Sequence, residues 1–458
     1  MTRRETLTGE SAVSQGKFWD VPERPTRNGE QNKLQPEDHP VHSWYRFVLS
    51  FPPHVVRSYI RKFGLGPDHQ VLDPFCGTGT TLVECKKFGI PSIGIEANPM
   101  AHFASTVKVD WKPDPGGLAE HARTIAVLAL AELAEQGISD DGPLFGTSVQ
   151  QAYNVSTELR TLESEASDLL LAGSISPLPL HKTLVLLDVL RRHGDERYHR
   201  HELLALAKAL VTSISNLHFG PEVSVGPAKV DVPVVAAWLN TVLAMSGDLE
   251  TLRNQEQTPA RVFRADSRQV ASLVEPRSID AVITSPPYPN EKDYTRTTRL
   301  ESVLLGFVRS KAELRKLKKS LVCSNTRGVY KDDDDDRWIA TNSQVQRIAE
   351  AIESRRVELG KTSGFERLYP RVAKLYFGGM CRHLAELRAL LRPGAQLAYV
   401  VGDQASYLRV MIRTGQLLAT IAKDLGYEPL GIDLFRTRLA TVTKEQLREE
   451  VVLLRWPG

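Results

Sequence analysis

The chain has 458 residues, 41% of them apolar and 25% charged, and its 58 basic against 55 acidic side chains leave a net charge of +3. At roughly 100–200 residues per domain this is two or three packing units, or one unit enlarged by insertions. It holds no run of about 18 apolar residues and no secretory apolar stretch among its first residues, which excludes a membrane-spanning helix and sets the expectation of a cytoplasmic protein.

In chain order, residues 1–40 are polar and Pro-dotted and read as a flexible N-terminal arm. An aromatic stretch, His42-Ser-Trp-Tyr-Arg-Phe and Phe51-Pro-Pro-His, leads into a helical pattern of Val55, Val56, Tyr59, Ile60 and Phe63, stopped by Gly64. Gln70–Asp73 is then a short buried strand, Thr81–Lys87 a helix and Ser92–Ile95 a second strand, which makes one βαβ unit of a parallel sheet. Residues 112–255 read as a helical insertion, with apolar steps of three and four over Leu118–Glu135, Thr157–Ala172, Leu180–Arg192, His201–Ser215 and Val234–Met245. The loop Phe219–Asp231 inside it either faces a substrate or braces the insertion. Strand patterns resume at Arg261–Arg264 and Ile279–Thr284, and again at Gln396–Gly402, Leu430–Phe435 and Glu449–Trp456. The fold class is therefore α/β, a doubly wound Rossmann-like sheet with helical insertions. Its core is assigned to 41–111, 256–308 and 376–458, and a second, basic insertion to 309–375. The run Asp332–Asp336 reads as a solvated loop.

Two motifs carry chemistry. In Asp73-Pro-Phe-Cys-Gly-Thr-Gly-Thr-Thr81, two glycines stand where a strand turns into a helix, so the backbone can take positive φ and lie against a ligand. Glu96 ends the next strand, where nucleotide-binding sheets use a carboxylate to accept ribose hydroxyls. No Lys-Ser/Thr pair follows, so this is not a phosphate-binding loop, and the spacing is not that of dinucleotide enzymes. The ligand reads as a ribose-containing molecule with no phosphate to cradle. The second motif, Thr284-Ser-Pro-Pro-Tyr288, directly follows a strand. Consecutive prolines force the chain out of the sheet at its C-terminal edge and leave carbonyls without competing N–H donors. Ser285 adds a hydroxyl acceptor and Tyr288 a flat face, which suits a planar ring with an exocyclic amine.

With both turns in one chain, the sequence resembles the S-adenosylmethionine-dependent DNA amino-methyltransferases, and its Ser-Pro-Pro-Tyr form resembles their cytosine-N4 branch. The resemblance extends to His42–Pro53, to Gly94-Ile-Glu-Ala-Asn-Pro99 and to Ala265-Asp-Ser267. It implies that Asp73, Phe75, Gly77 and Gly79 line the methionine side of S-adenosylmethionine, with Glu96 on the ribose and Asp266 on the adenine amine. Trp44, Tyr45 and Phe51 are candidates for the pocket wall or for plain core packing. It implies further that Ser285, Pro286, Pro287 and Tyr288 are the catalytic segment, hydrogen-bonding the target amine and stacking on the base. Asn290, Asp293, Tyr294 and Arg296 are placed to hold the extruded nucleotide.

The implied substrate is double-stranded DNA, methylated on the N4 amine of a flipped-out cytosine by direct in-line transfer, with a separate restriction endonuclease as partner. Arg296, Arg315, Lys316, Lys318 and Lys319 are the expected DNA contacts; the basic stretch Arg191–His201 is a second candidate. Methylation at cytosine carbon 5 needs a cysteine nucleophile, presented after a proline in that family. Here Phe, Glu, Val and Met precede Cys76, Cys85, Cys323 and Cys381, and no Cys/His spacing suggests a metal. Adenine-N6 or RNA as target, and a catalytically silent DNA-binding protein, remain as alternative readings.

Overall fold

The computed structural model describes residues 34–46, 50–141, 158–219, 222–290, 292–405, 407–439 and 446–458. The expected arm lies outside the described residues as far as position 33. Its last residues are docked: Asp38 is buried and accepts hydrogen bonds from Arg57.

Helix α1, Pro53–Lys62, buries Val55, Val56, Tyr59 and Ile60 and is followed by Gly64 at φ +64°. Strand β1 (Val71–Asp73), helix α2 (Thr80–Lys87), strand β2 (Ser92–Ile95) and helix α3 (Pro99–Lys108) form the first βαβα run. The Asn98 side chain starts α3 by accepting from the amides of Met100 and Ala101.

The first insertion contains α4 (Pro115–Glu135), α5 (Pro177–His193), α6 (His199–Ala209) and α7 (Val234–Leu252). Between α6 and α7 lies the hairpin of β3 (Leu217–Phe219) and β4 (Val223–Val225). It occupies the start of the expected loop 219–231, is anchored at Asn216 and does not border the central cavity described below. The helix expected over Thr157–Ala172 is absent from 158 onward except for the turn Ser164–Ser167. Its leucines instead plug gaps in tertiary packing, with Leu169 clustered on Val303, Val308 and Leu317, and such long-range burial overrides a local helical period.

Strands β5 (Ala260–Phe263) and β6 (Ile279–Thr284) precede the second insertion, which holds α8 (Lys311–Lys319), α9 (Ser343–Glu358) and the start of α10 (Gly364–Leu387). Helix α10 runs unbroken through the boundary expected at 375/376. The Asp332–Asp336 run is a clasp in place of a solvated loop. Asp335 is buried between Arg268 and Arg382, and Asp332 pairs with Lys319. The chain closes with β7 (Leu391–Gly402), α11 (Thr414–Asp424), β8 (Glu428–Leu439) and β9 (Gln446–Arg455).

Seven strands form one Rossmann-like sheet in the order β5-β2-β1-β6-β7-β9-β8. All pairings are parallel except the two made by β9, which runs against both neighbours. Side chains alternate between the faces. Val71, Ala281, Ile283, Ala398 and Val400 pack under α1 and α2, whereas Leu72, Val282, Leu397, Tyr399 and Val401 pack under α10 and α11. The first insertion shares a continuous core with α2 and α3. Among the described residues no helix is long and apolar enough to cross a membrane.

Candidate active site

Strand β1 has β2 on one side and β6 on the other, so the chain leaves β1 and β6 at the point where strand order reverses. Open α/β sheets form their ligand crevice there. The register pairs Val71 with Ala281 and Leu72 with Val282, which sets the two motif turns side by side. A direct bond joins them: the Thr284 hydroxyl donates to Asp73 Oδ1 at 2.6 Å, between residues 211 apart in sequence. Above this pair lies a cavity of about 460 Å³ bordered by Phe75, Gly77, Thr78 and Glu96 from one motif and by Ser285, Pro286, Pro287 and Tyr288 from the other.

The first half of the cavity fits a ribose-bearing ligand. Gly77 sits at φ +51°, and a Cβ built there meets no atom within 4 Å, so its Cα faces open space. The buried Thr78 Oγ1 has no hydrogen-bond partner among the described residues. Glu96 accepts from the amides of Gly77 (2.9 Å) and Asn98 (2.7 Å), one on each oxygen, leaving lone pairs for donors in the cavity. Burial pushes its carboxyl up to about 7 against the pull of those amides. Phe75 stands edge-on to His383 at 4.8 Å between ring centres. His383 is buried with a pKa lowered to about 4 by desolvation. A neutral ring donates from Nδ1 to the Ser267 carbonyl (2.8 Å) and accepts from the Tyr399 hydroxyl (2.7 Å), which pins the loop after β5.

The second half fits a hydrogen-bond-donating ring. Ser285 donates its hydroxyl proton to the Val400 carbonyl at 3.2 Å, and its side chain also meets the Tyr288 phenol at the cavity's edge. Tyr288 lies so close to β7 that a Cβ on Gly402 would stand 3.1 Å from its ring. Burial first, and then the Glu449 carboxylate, raise its phenol well above the ordinary value, so the ring stays neutral. Asn290, Asp293 and Tyr294 also border the cavity.

Several expected residues sit elsewhere. Asp73 lies beneath the cavity wall, fully buried, its carboxyl raised to about 6 by desolvation against the hydroxyls of Thr284 and Thr81 and the Phe75 amide. Gly79 (φ +84°) faces α3, where a Cβ would stand 3.1 Å from that of Ser105; it serves helix packing and does not line the cavity. Asp266 is engaged by the Arg268 guanidinium through both oxygens and does not border the cavity, although Ala265 and Ser267 do. Trp44 and Tyr45 are core residues, bonded to Asp248 and Glu301, whereas Phe51 reaches the cavity. Lys318 lines the cavity, paired with Asp293 at 2.7 Å, while Arg315, Lys316 and Lys319 are exposed on the same helix. Arg315 and Lys319 both lie over the Tyr330 ring, and Arg296 does not reach the cavity. In the other basic stretch, Arg192 and Arg197 are matched by Glu132, Asp188 and Asp195.

The wall also includes residues that no motif marks: Ser320–Asn325 of the second insertion, Gln404, Phe435 and the Arg436–Glu449 pair. Only the alternating charge at 436 and 449 on neighbouring strands hinted at a partnership, and strand order was needed to see it.

Comparison with known proteins accords with this architecture. A family model described as DNA methylase matches residues 3–105. The Type II methyltransferase M.BsoBI of Geobacillus stearothermophilus is 27% identical over 91% of this chain and 84% of its own. The Type II methyltransferase M.AvaI of Nostoc sp. is 23% identical over 91% and 87%. The chain is an S-adenosylmethionine-dependent methyltransferase. A 70-residue stretch of this methyltransferase is also 37% identical to the Type II methyltransferase M.MjaII of Methanocaldococcus jannaschii, covering 15% of this chain and 13% of that one. Among solved structures, TrmN from Thermus thermophilus aligns with 88% of this methyltransferase and 48% of its own chain at a TM-score of 0.25 and 11% identity, too loosely to add to the sheet order.

Proposed function

We propose that this methyltransferase modifies the exocyclic N4 amine of cytosine within a specific site in duplex DNA, as the modification half of a restriction system whose endonuclease is a separate chain. The carrying observation is the Thr284–Asp73 hydrogen bond, which ties a ribose-fitting turn and an amine-accepting turn to one cavity. The Type II methyltransferases it resembles support the restriction-modification setting.

S-adenosylmethionine supplies an electrophilic methyl group on a sulfonium. In this reading Phe75, Gly77, Thr78 and Glu96 hold it, with Ser267 beside them. The amine of cytosine is a poor nucleophile because its lone pair is delocalised into the ring. Ser285, its own proton committed to Val400, and the Pro286 carbonyl accept the amine's N–H bonds, which favours a pyramidal nitrogen and localises the lone pair. Tyr288 supplies a neutral stacking face. Pro287 keeps the turn rigid, so the alignment is set before reaction. The target must leave the duplex at a cost of a few kcal/mol. Arg315, Lys316 and Lys319, exposed on the helix whose Lys318 lines the cavity, grip phosphates at its rim.

Expression in a methylation-free host followed by single-molecule sequencing tests this. N4-methylcytosine at one sequence motif is expected. N6-methyladenine would overturn the cytosine assignment, and unmodified DNA from cells making folded, cofactor-binding protein would overturn the DNA substrate.

A further inference from the structure

Strand β7 ends at Gly402 on the ligand edge of the sheet, and the chain then makes a short return before α11. The base of this return is locked twice. Gln404 and Ile412 exchange both backbone hydrogen bonds, at 3.0 and 2.7 Å, and the buried Asp403 takes the Arg413 guanidinium at 2.5 Å. Gln404 borders the cavity, and the fully buried Tyr407 donates its hydroxyl at 2.9 Å to the carbonyl of Ser324, another residue of the cavity wall. The turn itself is Tyr407-Leu408-Arg409-Val410, closed by the Val410 amide on the Tyr407 carbonyl at 3.1 Å. Leu408 (φ +56°) and Arg409 (φ +66°) both lie in the left-handed region. Two-residue hairpin turns of this hand are ordinarily built from Asn, Asp and Gly, because a Cβ there crowds the following carbonyl.

The sequence therefore accepts strain twice at a turn where glycine would remove it. Such strain persists only where the surroundings over-determine it, and it gathers at binding sites. Here Leu408 and Val410 pack on the core shared with α10 and α11. Arg409 between them is exposed and has no ion pair or hydrogen bond among the described residues. Burial of its flanks thus fixes the direction of a single cation at the edge where a duplex must approach to deliver a base. Gripping a phosphate needs no such aim, since the backbone charge repeats at every step, whereas reading a base edge does. Resting on the proposed function, we infer that Arg409 is a sequence-reading residue that presents its paired N–H donors to O6 and N7 of a guanine in the major groove. The step from Gln404 to Tyr407 reaches about 10 Å beyond the cavity wall. At about 3.4 Å per base pair, that sets the guanine within about three positions of the extruded base.

The test uses duplexes carrying the site that the wild-type protein methylates. Arg409→Gly is the decisive variant, because glycine suits the left-handed turn. Its urea midpoint should equal or exceed that of wild type, and a lower one would overturn the strain on which the inference stands. Binding is measured by fluorescence anisotropy with S-adenosylhomocysteine present, on the methylated site and on a duplex of shuffled sequence. Wild type is expected to prefer its own site, and Arg409→Gly to lose about tenfold to a hundredfold of that preference while binding the shuffled duplex within about threefold of wild type. In a methylation-free host the variant should also modify sites that differ from the wild-type one at a single G·C pair near the target. Equal weakening on both duplexes, with a shallower salt dependence, is the mark of a phosphate contact and would overturn the inference, as would an unchanged preference. The function reading fails separately, by wild type transferring no methyl group to any duplex.

Discussion

Replacing Thr284 by valine keeps the shape of the β6 end and removes one hydroxyl, so it isolates the bond between the two motifs. That hydroxyl donates to a carboxylate with no access to solvent, and Asp73 Oδ2 already has no partner among the described residues. A hydrogen bond to a charged group is worth about 1.5–3 kcal/mol, and Asp73 would keep the Phe75 amide at 3.2 Å, while the Thr81 hydroxyl beside it donates to the Ile283 carbonyl. The loss depends on pH. Burial raises the folded carboxyl to about 6, above its ordinary 3.8, so Asp73 is protonated in the folded protein below pH 6 and charged above it. Its burial therefore costs little stability near pH 4. The cost grows between pH 4 and 6 and is at its full extent above 6. Thr284→Val removes the strongest influence holding that pKa down, so the costly window extends upward. Urea midpoints of wild type, Thr284→Val and Thr284→Ser at pH 5 and pH 8 measure this. Valine should destabilise by about 1.5–3 kcal/mol at pH 8 and clearly less at pH 5, with serine close to wild type. Turnover at pH 8 should fall about tenfold or more as the two turns lose their common anchor. An equal shift at both pH values, with turnover intact, would refute the coupling.

Four further outcomes follow from the cavity. Cofactor affinity by calorimetry should be full above pH 7 and weaken by up to about tenfold per unit below it, because Glu96, raised to about 7, must be ionised to accept ribose hydroxyls; Glu96→Gln should bind weakly and without that pH dependence. Ser285→Ala and Tyr288→Ala should each lower kcat by about a hundredfold or more while changing cofactor affinity less than about threefold, since both act on the base half; a fully active Tyr288→Ala would end the stacking assignment. Cys323→Ala should keep turnover within about threefold if the methyl moves directly to nitrogen; complete loss, with folding preserved, would point to a covalent route through this cavity-lining thiol. Charge reversal of Arg315, Lys316 and Lys319 together should weaken duplex binding at low salt by about tenfold or more and flatten its salt dependence, measured by fluorescence anisotropy.

Strands β2 and β6 stand where short apolar runs and their flanking turns placed them, because strand patterning and Gly/Pro chemistry act within a few residues. The same locality misled at Thr157–Ala172, where leucines at helical spacing answer to a distant cluster, and at Asp332–Asp336, where a carboxylate is drawn inward by Arg268 and Arg382. Gly79 and Asp266 belong to the motif segments yet face α3 and Arg268, since a motif records which residues occur together and not which way each one points.

From the amino acids alone came the alternation that makes an α/β sheet, the two turns with their chemistry, and the carboxylate at the end of β2. Folding alone decided that β1 and β6 are neighbours, that Thr284 meets Asp73, and that Ser320–Asn325 of an unremarkable insertion completes the cavity. The division has a physical cause: turn and strand preferences are paid within the local chain, whereas a 2.6 Å contact between residues 211 apart exists only when the whole sheet has closed.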